Sequence, residues 1–124
     1  MASNTLSGDL ISERYGAALY DLASEKKCID DILNDFELVQ KALKESSELR
    51  QVIKSPLVNS DEKLNILIKL FSKANLHNLT TTFLKVLDNN KRISNIASII
   101  LQFKKINSEI RGDITADITS ANIL

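Results

Sequence analysis

At 124 residues the chain is long enough for one compact domain and the beginning of a second, and 44% hydrophobic content is enough to build a core. Sixteen basic residues balance sixteen acidic ones, which disfavours duplex nucleic acid as a partner, because such domains usually carry a basic excess. Three Gly, one Pro and no Trp argue for helices joined by short polar links rather than a many-turned β-fold.

Cys28 is alone, so no intrachain disulfide is possible and a reducing compartment is expected. It precedes Ile29 at an expected helix start and reads as a small, partly buried hydrophobe rather than a nucleophile. The first residues have neither a basic region nor an apolar run, so no secretory signal is expected. No apolar stretch approaches the roughly 20 residues needed to span a bilayer. If the protein works at a membrane, something else attaches it there.

After a short polar lead, Ser7 or Asp9 is placed to cap a first helix running to about Glu25, with Lys26 and Lys27 at its negative dipole end. At about 100° per residue, Ile11, Tyr15, Ala18 and Leu22 fall on one line, and Gly16, Leu19 and Ala23 widen it. A surface helix normally buries one stripe, so this breadth suggests two neighbours, one of them from a partner. Ile29, Ile32, Leu33, Phe36, Val39 and Leu43 then recur at steps of three and four and predict a second helix over roughly 28 to 45. Ser46 and Ser47 break it and cap a short third helix carrying Leu49, Val52 and Ile53.

Pro56 ends that helix, since the residue before a proline is pushed out of the α region. The link 56–59 ends at Ser60, and a fourth helix follows with Asp61 and Glu62 in its first turn and Leu64, Leu67, Ile68 and Phe71 as its buried stripe. Beyond a polar break at 75–78, Leu79, Phe83, Val86 and Leu87 define a fifth helix ending near Asn89 and Asn90. Thr80, Thr81 and Thr82 weaken its propensity, so packing must hold it. A sixth helix starts at Ile93 and carries Ile96, Ala97, Ile99, Ile100, Phe103, Ile106 and Ile110, an arc wide enough for the centre of a bundle. It ends at Arg111 and Gly112. The period then changes to the alternation of a half-buried strand over 113–119. The fold expected is all-α, a six-helix bundle over residues 1–111, with a short β-strand at 112–124 beginning a second, αβ domain.

Catalytic chemistry finds no foothold in this pattern. His77, the one histidine, has no second His or Cys to make a metal set and reads as a solvated loop or cap residue. There is no Gly-rich phosphate loop, no Ser-His-Asp arrangement and no zinc motif. Adjacent carboxylates such as Asp30 with Asp31, and Asp61 with Glu62, point in different directions on a helix. No enzyme, cofactor or metal is expected, which leaves association. The fifth helix is also broadly apolar, Phe83 and Val86 flanking Leu79 on one side and Leu84 and Leu87 lying towards the other. Were it beside the first helix, their outward edges would form a groove for an amphipathic helix. The same breadth arises if both arcs are buried inside the bundle, and periodicity leaves both readings open.

Four stretches also resemble a known family. The run Arg14, Tyr15, Gly16, Ala17, Ala18, Leu19, Tyr20, Asp21, Leu22, Ala23 resembles the R-Y-A-x-A-L-(Y/F)-(D/E)-L-A opening of the ATP synthase delta subunit family, called oligomycin sensitivity-conferring protein in mitochondria. Ser55, Pro56, Leu57 and Val58, with Lys63 and Leu67, resemble its N-P-x-(V/I) turn and the K-x-x-(I/L)-(I/L) helix that follows. Phe83 to Ile93 is similar to its F-L-x-(L/V)-L-x-x-N-x-R-(L/I) segment, and Gly112 to Ala121 to its G-x-x-x-A-x-(V/I)-x-(S/T)-A strand. Each motif is short, but their common order and spacing are specific.

The resemblance implies a six-helix N-terminal domain that sits on the catalytic F1 head and binds N-terminal helices of its alpha subunits through helices one and five. On these positions that surface would comprise Tyr15, Ala18, Leu19 and Leu22 with Leu79, Phe83, Val86 and Leu87. It also implies a C-terminal domain that contacts the b subunits of the peripheral stalk; the chain stops where that domain begins, so a shortened form is expected. Gly16 departs from the family's Ala, at up to about 1 kcal/mol in helix propensity. A rival from another class is a small all-helical RNA-binding regulatory factor using Lys91 with Arg92 and Lys104 with Lys105, whose binding would weaken steeply with salt.

Overall fold

The computed structural model describes residues 2–112, with side chains from Leu10 onward. Six helices follow one another: α1 (Ala2–Glu25), α2 (Ile29–Glu45), α3 (Ser47–Lys54), α4 (Ser60–Leu70), α5 (Asn78–Asn89) and α6 (Ile96–Arg111). A single 3-10 turn, Ile93–Asn95, leads into α6. No strand occurs among the described residues. The strand expected at 113–119 lies outside them.

The stop and start signals act where their chemistry places them. Ser46 Oγ accepts from the Leu49 N–H at 3.1 Å, capping α3. Arg50, one turn into α3, donates to the last carbonyls of α2, reaching Lys44 O at 2.9 Å. Gly112 closes α6 in the left-handed region, at φ 79, where a Cβ is costly.

Several expectations need correcting. The first helix begins at Ala2, so Ser7 and Asp9 are interior to it rather than caps; no proline stands in that stretch to break the backbone bonding. Ser60 is the first residue of α4 and Asn59 its cap; the Asn59 N–H donates to Glu62 Oε1 at 3.3 Å. Ser60 Oγ instead donates to the Asp88 carbonyl at 3.3 Å, tying α4 to the end of α5. In α4 the buried stripe is Lys63, Leu64 and Leu67, continuing to Phe71, while Ile68 is exposed. At about 100° per residue the stripe is turned towards Lys63, whose long stem covers apolar surface. The turn at Ile93 likewise replaces the expected first turn of the sixth helix, and Ile110 is exposed at that helix's far end.

The core is where α6 crosses the other helices. Ile96, Ile99, Ile100 and Phe103 are fully buried, and α1 packs along α6 more extensively than any other pair. Gly16 makes that approach possible: a Cβ built there would lie 3.0 Å from Gln102 Cβ and 3.3 Å from the Phe103 nitrogen. The propensity lost at this glycine is offset by closer contact. Phe103 collects Tyr20 of α1 and Phe36 of α2, each with centroids 5.3 Å away. Tyr20 Oη then donates to Asn107 Oδ1 at 3.0 Å, a partner for its buried hydroxyl.

Candidate helix-binding groove

The threonine-rich α5 has a specific anchor at its start. Asp35 of α2 is buried, and its Oδ2 accepts from the His77 N–H at 2.8 Å and from Thr80 Oγ1 at 2.6 Å. His77 in turn caps the helix, its Nδ1 accepting from the Leu79 N–H at 3.0 Å, in keeping with the cap role expected of it. Thr80, poor for helix propensity, is thereby a fully buried residue with its hydroxyl bonded. A sequence signal for Asp35 existed: a carboxylate inside the apolar stripe of Ile32, Phe36 and Val39.

Anchored there, α5 touches α1 through one aromatic pair, while the backbones of the two helices approach each other little. The Tyr15 and Phe83 rings meet edge to face, with centroids 6.2 Å apart. The eight candidate residues divide by their surroundings. Leu19 and Leu87 are closed into the core, and Leu79 and Phe83 are buried with it. Tyr15 is half-buried and Ala18 exposed, while Leu22 and Val86 keep 39% and 40% of their surface open. Each arc therefore has an inner edge in the bundle and an outer edge in solvent.

A cavity of about 370 Å³ opens at one end of this strip, lined by Ile11, Arg14, Tyr15, Ala18 and Arg92. Sequence reasoning had placed Arg92 in a basic pair with Lys91, yet Lys91 opens onto a different cavity, beside Asp61 and Asp88. Lys104, of the other basic pair, is held by Glu37 and Gln40. Lys91, Arg92 and Lys104 thus stand in three different settings.

Titratable chemistry is sparse. Burial pushes the Cys28 thiol above its ordinary value, and the Asp31 carboxylate adds to the effect, which makes it a poorer nucleophile. Asp61 has its carboxyl raised by a hydrogen bond with the Asp88 side chain, then by that group's charge and by desolvation, with Lys91 opposing. Among the described residues no His, Cys, Asp and Glu group is arranged to hold a metal ion, and no helix is long and apolar enough to cross a membrane.

By class the described residues form an all-helical bundle, one of whose exposed features is the apolar strip carrying Leu22 and Val86. The family follows from comparison with known proteins. Residues 11–124 match the model of the ATP synthase delta (OSCP) subunit family, and the chain belongs to that family. It is 32% identical over 114 residues to the ATP synthase subunit delta of Rhizobium leguminosarum bv. trifolii, covering 92% of this chain and 61% of the relative. The subunit delta of Bradyrhizobium diazoefficiens is 31% identical over 124 residues, covering 100% of this chain and 67% of the relative. That of Nitrobacter winogradskyi is 36% identical over 114 residues, with 92% and 61% covered. The chain therefore spans about 61% to 67% of the length of these relatives.

Proposed function

We propose that this chain is the head-docking domain of a stator subunit of an F-type ATP synthase, a non-catalytic part that keeps the catalytic head from turning with the rotor during proton-driven synthesis. Its partners are N-terminal helices of the alpha subunits, seated on Tyr15, Ala18 and Leu22 of α1 and Val86 of α5, with Leu19, Leu79, Phe83 and Leu87 packed beneath. Residues 1–111 form this domain, and 112–124 begin the part that reaches the b subunits of the peripheral stalk. The protein sits at the membrane only through its complex, on the cytoplasmic face of a bacterial inner membrane or the equivalent matrix or stroma side in an organelle.

The observation that carries this reading is the split within each arc. Leu19 and Leu87 fix the two helices in the core, while Leu22 and Val86, each about two-fifths open, leave apolar area uncovered on the same strip. A partner helix with apolar residues at steps of three and four would remove that area from water, at about 25 cal/mol per Å². Leu19 and Leu87 act from beneath, holding the backbones that present the open residues.

The test is an NMR titration of the isotope-labelled chain with a peptide spanning the N-terminal helix of the alpha subunit from the same genome. Shifts are expected at Tyr15, Ala18, Leu22, Phe83 and Val86. Val86→Asp should keep the fold and weaken binding by at least about tenfold, or about 1.4 kcal/mol. Shifts confined to other helices, or unchanged affinity in that variant, would overturn the reading.

A further inference from the structure

We infer that the groove between α2 and α6 is a second docking site, for an amphipathic helix of another polypeptide that carries acidic side chains along one flank. The groove encloses about 670 Å³ and shares no lining residue with the cavity between α1 and Arg92. Its apolar walls are Leu38 of α2 and Leu101 of α6, with 40% and 59% of their surface open, and Ala97 and Leu43 lie between them. A lone exposed leucine needs no explanation, but two facing one concavity form a patch with directional shape.

The rim identifies the occupant's charge. Lys41 and Lys44 line the α2 side, and neither side chain has an ion-pair or hydrogen-bond partner among the described residues. Glu37, the carboxylate at the same groove, is already engaged by Lys104, so the cationic edge is left uncompensated. Leu38, Lys41 and Lys44 step by three along the helix, about 4.5 Å of rise each. Carboxylates at steps of three or four on a partner helix repeat at the same interval, so one helix can fill the groove and meet both ammonium groups. A second copy of this chain is disfavoured: an isologous pairing through this face would gather four ammonium groups, Lys41 and Lys44 of each copy, into one interface.

The experiment uses two designed 18-residue helical peptides with the same leucine stripe, one flanked by Glu and the other by Lys. Titrated into the labelled chain, the Glu peptide should shift Leu38, Lys41, Ala97 and Leu101. It should bind at least about tenfold more tightly than the Lys peptide, and less tightly as salt rises. Lys41→Glu with Lys44→Glu should reverse that preference. Leu101→Asp, at an exposed position, should abolish binding here while leaving the alpha-subunit peptide on α1 and α5 unaffected, so the two sites fail or succeed separately. Equal affinity for both peptides, shifts restricted to α1 and α5, or a concentration-dependent dimer dispersed by Leu101→Asp would each overturn the inference.

Discussion

Tyr15 meets Phe83 edge to face, with centroids 6.2 Å apart and ring planes inclined by 69°, and this contact joins the two helices that frame the proposed docking strip. Such pairs contribute about 0.5–1.5 kcal/mol beyond their buried area. A double-mutant cycle with Tyr15→Leu and Phe83→Leu should therefore show a coupling of that size in urea unfolding. Additive losses would mean that α1 and α5 are held together without the ring contact.

The inner and outer edges of the strip should separate in mutational experiments. Leu19→Ala and Leu87→Ala empty sites inside the bundle and are expected to lower unfolding free energy by about 2–5 kcal/mol each. Leu22→Ser and Val86→Ser, at residues already partly wet, should change stability by about 1 kcal/mol or less but weaken the alpha-subunit peptide. Paired urea melts and titrations of the four variants check both halves. Equal stability losses in the two groups would show that the strip is closed in solution.

These contrasts mark how far the sequence could be read. Six helices were legible because Ser46, Pro56 and Gly112 punctuate the chain and the apolar steps of three and four between them are regular. Which side of an arc is covered was not legible, because periodicity orients a helix about its own axis and says nothing of where its neighbours stand. Leu19 and Leu22 both belong to the apolar arc for that reason, and only their burial in the folded bundle distinguishes them. Groups far apart in sequence were hidden in the same way: Asp61 was compared with its neighbour Glu62, whereas the carboxyl that perturbs it is Asp88, brought from another helix.

Asp35 should be among the most sensitive polar positions. Its Oδ2 receives both the His77 N–H and the Thr80 hydroxyl in a buried setting, and removing it strands two donors. Asp35→Ala is expected to cost about 3 kcal/mol, whereas Asp35→Asn, whose amide oxygen still accepts, should cost about 1 kcal/mol. Hydrogen exchange supplies the local readout: protection should fall first at the start of α5. Uniform loss across the bundle would argue that Asp35 acts on general stability rather than on that helix.

Gly16 is expected to resist enlargement. Even a single Cβ there would meet Gln102 Cβ at 3.0 Å and the Phe103 backbone nitrogen at 3.3 Å, and Val adds two methyl groups in the same place. The small propensity gain over glycine is outweighed by overpacking of about 1–3 kcal/mol. Gly16→Val should lower the urea midpoint at an unchanged slope. An unchanged or higher midpoint would show that α1 and α6 can separate without loss.

The last prediction concerns pH. A side-chain hydrogen bond with Asp88, then the charge of that group and desolvation, raise the Asp61 carboxyl above its ordinary value of 3.8, with Lys91 opposing. Folding therefore strengthens proton binding at this site, and by linkage the proton strengthens folding. The stabilisation is complete below 3.8 and is lost as pH rises through the raised value, leaving two carboxylates facing each other with Lys91 as partial compensation. Asp61→Asn keeps a donor towards Asp88 and removes the charge, so it should melt higher than the unmodified chain at pH 7. The difference should shrink on acidification and vanish below the ordinary carboxyl value. Because every other titrating group is common to both proteins, the difference between their melting curves isolates this pair. A variant that melts lower at pH 7, or a gap that does not close in acid, would show that Asp88 does not raise the Asp61 carboxyl.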